Sequence, residues 1–313
     1  MDRFKNILLV VNGDAGQDVG LDQALRIART NGARLTLASV LPSPDEGLPD
    51  SASETVTRLR RQIREDRSAH LEALEKEAAD SNVDVEAKLL VGREFVAIIH
   101  EVLKCERDLV IRMGDGPRRG LKVRLFGSTE EHLLRKCPCP VWLLRARQPW
   151  GIRSVLAAVD VSGGNTPGLN STILALASSL AQREQAELHV VHAWSVYGEN
   201  ILRNPLRGIP LEDLNAILQE TRQSRERNLR ELAARSCVPG IEPNLHVLKG
   251  EAQVVIRSAT EKTRADVLVM GTLSRVGIPG LFMGNTAESV LSQVGCSVLT
   301  VKPEGFHSPV ELE

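Results

Sequence analysis

The chain has 313 residues and no apolar run of about 18 residues, so no membrane-spanning helix is expected. A signal-peptide core is missing too: Met1-Asp2-Arg3-Phe4-Lys5-Asn6 leads directly into a strand-like run. Neither sign of charge is in excess. Lys and Arg number 39 against 40 Asp and Glu, a formal net charge of −1, which argues against a protein built to grip nucleic acid. Cysteine is scarce, at five residues, and shows no secreted-type framework, so reduced thiols and a cytoplasmic location are expected. The seven histidines form no HxxxH or HExxH set, and no Cys/His spacing suits zinc, so no metal site is expected. Cys137-Pro138-Cys139 invites a metal or redox reading. The plainer expectation is that Cys139 opens a buried strand as a small hydrophobe. There is no GxxxxGK[ST] loop and no G-x-S-x-G elbow, and no nucleophile can be paired with a base, so no enzyme is expected.

What is present is a repeat. Met113-Gly114, a loop to Gly127-Ser128-Thr129, a helix-like stretch and a strand from Cys139 to Arg145 recur as Met270-Gly271, Gly284-Asn285-Thr286 and Cys296 to Lys302. Gly114, Gly127 and Cys139 each precede their counterparts by 157 residues. The duplication divides the chain into two small domains, 1–146 and 152–303, with a polar tail at 304–313.

Each half alternates strands and helices. Ile7-Leu8-Leu9-Val10-Val11 is a continuous apolar run, as a parallel strand covered on both faces requires. Strands follow at 34–41, 83–91, 108–113 and 141–144, with helices between them. The second half repeats the order with strands at 155–159, 186–193, 241–248, 267–270 and 297–301. This alternation predicts right-handed crossovers and parallel sheets with helices on both faces. Asn12 and Asp160 are only 148 apart, so the second half gains length, expected in the loop at 194–210.

In such sheets ligands bind at the carboxyl ends of the strands. Strand 1 ends at Asn12 or Asp160. Strand 4 leads through a loop to a helix opening on Gly127-Ser128-Thr129 or Gly284-Asn285-Thr286. Free N–H groups at such an opening can hold phosphate. Ser128, Asn285 and Thr286 could equally be helix N-caps, and spacing alone does not choose.

Gly271-Thr272-Leu273-Ser274, nine residues, then Gly284-Asn285-Thr286 resembles the G-x-x-G-x9-G-[S/T] nucleotide signature of universal stress proteins. Gly114-Asp115-Gly116-Pro117, nine residues, then Gly127-Ser128 resembles it in the first half. The likeness covers essentially the whole chain and points to the tandem-domain form. It implies two α/β domains of the adenine nucleotide alpha hydrolase-like type, each a five-stranded parallel sheet of order 3-2-1-4-5. It implies a non-enzymatic cytoplasmic stress-response protein, an adenine nucleotide such as ATP as the ligand, and an internal pseudo-dimer joined through last strands, with further self-association left open. By motif, the nucleotide would meet Asp160, Met270, Gly271, Ser274, Gly284, Asn285, Thr286 and Ala287. The weaker set in the first half is Asn12, Gly114, Gly127, Ser128 and Thr129. The pattern is degenerate: Ser274 and Pro117 stand at the second glycine, and Asn285 replaces the hydroxyl residue.

Two loops carry other readings. Arg112, Arg118, Arg119, Lys122 and Arg124 could attract an anion or simply be solvated. Ile278-Pro279-Gly280-Leu281-Phe282-Met283 could serve an apolar-ligand or scaffold module, or cap its own core. Ser162-Gly163-Gly164 resembles the loop of ATP pyrophosphatases, but Thr166 and Pro167 stand where that motif needs Asp and Ser.

Overall fold

The computed structural model describes residues 3–11, 17–43, 54–113, 128–145, 151–163, 168–199, 210–272 and 283–312. The chain forms two compact units. The first takes in Met1–Pro149 and the C-terminal Gly305–Glu313; the second takes in Trp150–Val276 and Met283–Glu304.

The first unit runs β1 (Asn6–Val10), α1 (Gln17–Asn31), β2 (Arg34–Leu41), α2 (Glu54–Ala78), β3 (Val85–Val91), α3 (Glu94–Cys105), β4 (Leu109–Met113), α4 (Ser128–Lys136) and β5 (Val141–Leu144). Its strands lie in the order β3-β2-β1-β4-β5, all parallel. The second unit runs β6 (Ser154–Ala158), α5 (Leu169–Glu184), β7 (Glu187–Trp194), α6 (Leu211–Ser236), β8 (Asn244–Lys249), α7 (Ala252–Lys262), β9 (Val267–Gly271), α8 (Asn285–Leu291) and β10 (Ser297–Val301). Its order is β8-β7-β6-β9-β10, again parallel. Each half is thus the expected 3-2-1-4-5 sheet. Side chains alternate between faces along a strand, yet every residue of β5 and β6 is buried. Both faces of each sheet are therefore covered.

Matched polar contacts hold both units. Asp108 accepts the amides of Lys5 and Asn6 at the start of β1, and Asp266 accepts those of Arg153 and Ser154 at the start of β6. Gly92 and Gly250 leave β3 and β8 with φ of +133° and +143°, and donate to the carbonyls of Leu41 and Trp194. A side chain at that φ would be strained, so glycine is required. In the first unit the C-terminal segment docks through the His100 ring, whose Nε2 lies 2.9 Å from the Glu311 carbonyl.

Strand register corrects the repeat in detail. Asn6 answers to Ser154, 148 residues on, but Arg34 answers to Glu187, 153 on, and Glu86 to Asn244, 158 on. The extra length is therefore split between the β6–β7 and β7–β8 connections rather than placed in one loop. Met113 pairs with Leu144 and Gly271 with Val301, so Met113, not Gly114, stands where Gly271 stands. Packing agrees. A Cβ on Gly20 of α1 would meet the Met113 side chain at 3.1 Å, whereas a Cβ on Gly271 would meet Leu169 of α5 at 3.0 Å. The bulk at this strand–helix contact comes from the strand in one unit and from the helix in the other, about one turn apart along the helix. Two end assignments also shift. β8 starts at Asn244 rather than at 241, and β5 starts at Val141, with Cys139 partly exposed before it and Cys137 fully buried.

Gly271→Ala should destabilise the second unit by about 1–3 kcal/mol through overpacking against Leu169. Adding Leu169→Ala should make the pair of changes non-additive, with the double variant less destabilised than the sum of the singles in urea unfolding.

Candidate functional site

In the second unit the carboxyl edge is built around Asp160, two residues beyond β6. Its backbone is clamped by Asn170 of α5, whose Nδ2 donates to the Asp160 carbonyl at 2.7 Å and whose Oδ1 accepts the Asp160 amide at 3.2 Å. The carboxylate accepts the Ser162 amide at 2.9 Å, closing a tight turn into Gly163. Its side chain is 26% exposed, so water or a ligand can reach it. Beneath lies His192 of β7, fully buried, with Nδ1 3.8 Å from the carboxylate. That nitrogen is 3.2 Å from the Val159 carbonyl and 3.4 Å from the Val161 amide; a neutral ring can serve only one of them. Burial pushes the imidazole below its ordinary pKa; the Val159 carbonyl opposes this and the charge of Arg225 adds to it. Arg225 of α6 itself donates to the Val161 carbonyl at 3.3 Å.

The other side of this edge joins β9 to α8. The Gly284 amide donates to the Thr272 carbonyl at 3.0 Å, so strand end and helix start meet. Gly284, buried and extended, is the residue that caps α8, with no side-chain cap. Asn285 and Thr286 are its first helical residues, which removes the N-cap reading for both. Lys302, buried after β10, donates to the Thr272 hydroxyl at 2.5 Å. Met270 and Ala287 are buried and uncharged. The structure thus brings Asp160, Met270, Gly271, Gly284, Asn285, Thr286 and Ala287 onto one edge; Ser274 lies outside the described residues. Of the apolar loop, only Met283 is described, and it is buried.

The first unit is built differently at the same edge. Arg112 of β4 is buried and answers to Met270 in register. Its Nε donates to Glu130 at 2.8 Å and its Nη1 to Glu94 at 2.5 Å. The other Glu94 oxygen accepts the Thr129 hydroxyl at 2.7 Å. Glu94 and Glu130 stand where the second unit has Ala252 and Ala287. Burial alone would raise the Glu94 pKa, but the charge and hydrogen bonds of Arg112 and Thr129 hold it below the ordinary carboxylate range. Arg112 is therefore committed to internal carboxylates and is not part of a basic loop, and Thr129 is already engaged. Ser128 is exposed at the first position of α4. Asn12, Gly114 and Gly127 lie outside the described residues, as do Arg118, Arg119, Lys122 and Arg124. Arg67 of α2, the counterpart of Arg225, donates to Ser39, the counterpart of His192, at 2.9 Å.

His192, Arg225 and Asn170 were not singled out from the sequence. A histidine inside the otherwise apolar run Val190-Val191-His192-Ala193 was the available signal; the two helical residues gave none. Among the described residues, no group of three or more His, Cys, Asp or Glu is placed to hold a metal, and no helix is long and apolar enough to cross a membrane.

Comparison with known proteins gives a consistent result. A model of the family described as the universal stress protein family matches residues 3–145 and again 151–302. The chain is 30% identical to universal stress protein E of Escherichia coli strain K12, covering 100% of this chain and 98% of that protein. It is 29% identical to universal stress protein E of Photorhabdus laumondii over 99% of both. Among solved structures, a functionally unknown protein of Pseudomonas aeruginosa PAO1 superposes with a TM-score of 0.69 at 26% identity, over 97% of this chain and 95% of that one.

Arg112→Met alone strands two carboxylates, one of them buried, and should cost about 3–5 kcal/mol in urea unfolding. The triple change Arg112→Met, Glu94→Ala, Glu130→Ala installs the second unit's apolar set and should recover most of that loss. The low pKa of Glu94 stabilises the fold above the ordinary carboxylate range, and the contribution is lost as pH falls through the folded value. The triple variant should therefore lose less stability than the wild type on acidification below about pH 4.

Proposed function

The chain belongs to the universal stress protein family in its tandem-domain form, and on that premise we propose that it is a cytoplasmic, non-enzymatic stress-response protein whose second unit binds an adenine nucleotide, ATP being the first candidate. The observation that carries this reading is the contrast between the two carboxyl edges. In the second unit a partly exposed Asp160 stands beside an uncharged floor of Met270 and Ala287. A carboxylate there accepts a hydrogen bond from an adenine amine or a ribose hydroxyl. Gly284 lets a phosphate approach the backbone closely, and Thr286 adds a hydroxyl. Lys302 places a positive charge next to Thr272 on the same edge. In the first unit the Glu94 carboxylate already occupies the hydroxyl of Thr129, so an incoming phosphate would meet a negative charge.

Among the described residues this edge offers hydrogen-bond acceptors and donors, and binding without turnover is the role read from it. Of the segment 278–283 behind the apolar-ligand or scaffold reading, only Met283 is described, and it is buried in the core.

Calorimetric titration of ATP decides the ranking. Asp160→Ala and Gly284→Val should abolish or strongly weaken binding, while Asn12→Ala and Gly127→Val should leave most of it. Equal loss in both halves, or loss only in Gly127→Val, overturns the assignment. Multiple-turnover ATP hydrolysis should stay far below a typical enzymatic rate of about 10 per second.

A further inference from the structure

β8 ends the strand order of the second unit and pairs with β7. Where the two strands meet, His189 of β7 and His246 of β8 bring ring nitrogens together. His189 Nδ1 lies 3.2 Å from His246 Nε2, and the ring centroids are 5.4 Å apart. The Glu187 carboxylate lies 3.3 Å from His189 Nε2. A carboxylate only accepts, so His189 carries its proton on Nε2 and offers Nδ1 as an acceptor. His246 then donates from Nε2 and leaves its own Nδ1 unprotonated. One line of hydrogen bonds thus runs from β8 through β7 to Glu187.

This line takes up one proton without a break. Added at His246 Nδ1, the proton keeps both hydrogen bonds and makes the donor a charged one. A second proton must go to His189 Nδ1. Two N–H groups and two positive charges would then face each other across 3.2 Å. Neighbouring charges offset this little. Glu187 is 74% exposed, so water screens it, whereas His189 is only 12% exposed. α7 packs against β7 and turns Val255, Ile256, Ala259 and Thr260 inward. Its charged residues Arg257, Glu261 and Lys262 are exposed, as is Glu242 ahead of β8. Arg225 of α6 bears on the opposite face of β7, the His192 side. Burial, and then the charge of His189, pushes the His246 imidazole below its ordinary range.

The first unit has no such pair. By register Thr36 and Lys88 stand in the two positions. The Thr36 hydroxyl donates to Glu86 at 2.7 Å, and Lys88 Nζ lies 2.7 Å from Glu101. The Thr36 hydrogen bond helps hold Glu86 below the carboxylate range, and the Glu101 hydrogen bond helps hold Lys88 above the ordinary lysine value. Neither contact changes charge between about pH 5 and pH 7.

We propose that the His189–His246 contact is an acid-sensitive latch on β8: the pair keeps the seam closed with up to one added proton, and the second proton opens it. The fold resists that second proton. The stability the contact gives β8 is therefore full above the ordinary histidine value of about 6.5, and it is lost as pH falls from there towards the lower folded value.

The test follows the histidine ring C–H shifts of the full chain by NMR from about pH 8 to pH 4. His189 and His246 should titrate as a coupled pair, the second proton binding about tenfold or more weakly than the first. Amide exchange in β8, corrected for its intrinsic pH dependence, should accelerate about tenfold or more between about pH 7 and pH 5, while β3 stays unchanged. His246→Gln keeps an N–H donor for His189 Nδ1 but takes up no proton, so it should lose the acceleration. The wild-type titration decides independently of how that variant folds. Two independent titrations, equal acceleration in β3 and β8, or acceleration that survives in His246→Gln would overturn the proposal.

Discussion

A buried guanidinium cannot be left unanswered, and the first unit is arranged around that requirement. Arg112 reaches the carboxyl edge of β4 almost wholly withdrawn from water, and it draws Glu130 from α4 and Glu94 from α3 onto itself. Three elements are thereby fixed at the edge where this sheet type places ligands. The network is a commitment as well as a clamp. At the first turn of α4 the Glu94 carboxylate already accepts the Thr129 hydroxyl.

The second unit meets the same geometric demand without charge. Met270, Ala252 and Ala287 stand in the equivalent places, and packing does what ion pairing does in the first unit. The contrast extends to the opposite, amino edge. There Arg107, Glu101, Lys88 and Glu86 form a linked ion network in the first unit, with Arg107 and Glu101 both buried. Ala265, Ala259, His246 and Asn244 occupy those positions in the second. Two copies of one topology are held by different physics, and among the described residues the second has the fewer internal charge commitments at these positions.

The topology was legible because continuous apolar runs such as 7–11 and 155–159, spaced by helical patterns, have few foldings available. The duplication was legible from glycines, which mark backbone needs that survive when side chains change. Register was not. The sequence aligns Met113-Gly114 with Met270-Gly271, but hydrogen bonding in the sheet sets Met113 against Gly271, because cross-strand pairing is decided by neighbours distant in sequence. Asp160 and Gly284 could be read from strand and helix ends. His192, Arg225 and Asn170 could not, since their roles depend on α5, α6 and β7 converging. Arg112 read as part of a basic cluster because its two carboxylate partners, 18 residues away on either side, give no local signal.

The exchange of bulk between Met113 with Gly20 and Gly271 with Leu169 has an evolutionary consequence. After a duplication, sequence exchange between the copies tends to keep them alike. Here an exchange that carried one strand without its matching helix would set Met against Leu, or glycine against glycine. The first overfills the site and the second leaves a void, and both are costly. Homogenisation is therefore penalised at this position unless the tract spans strand and helix together, which leaves the two halves free to drift apart in what they recognise.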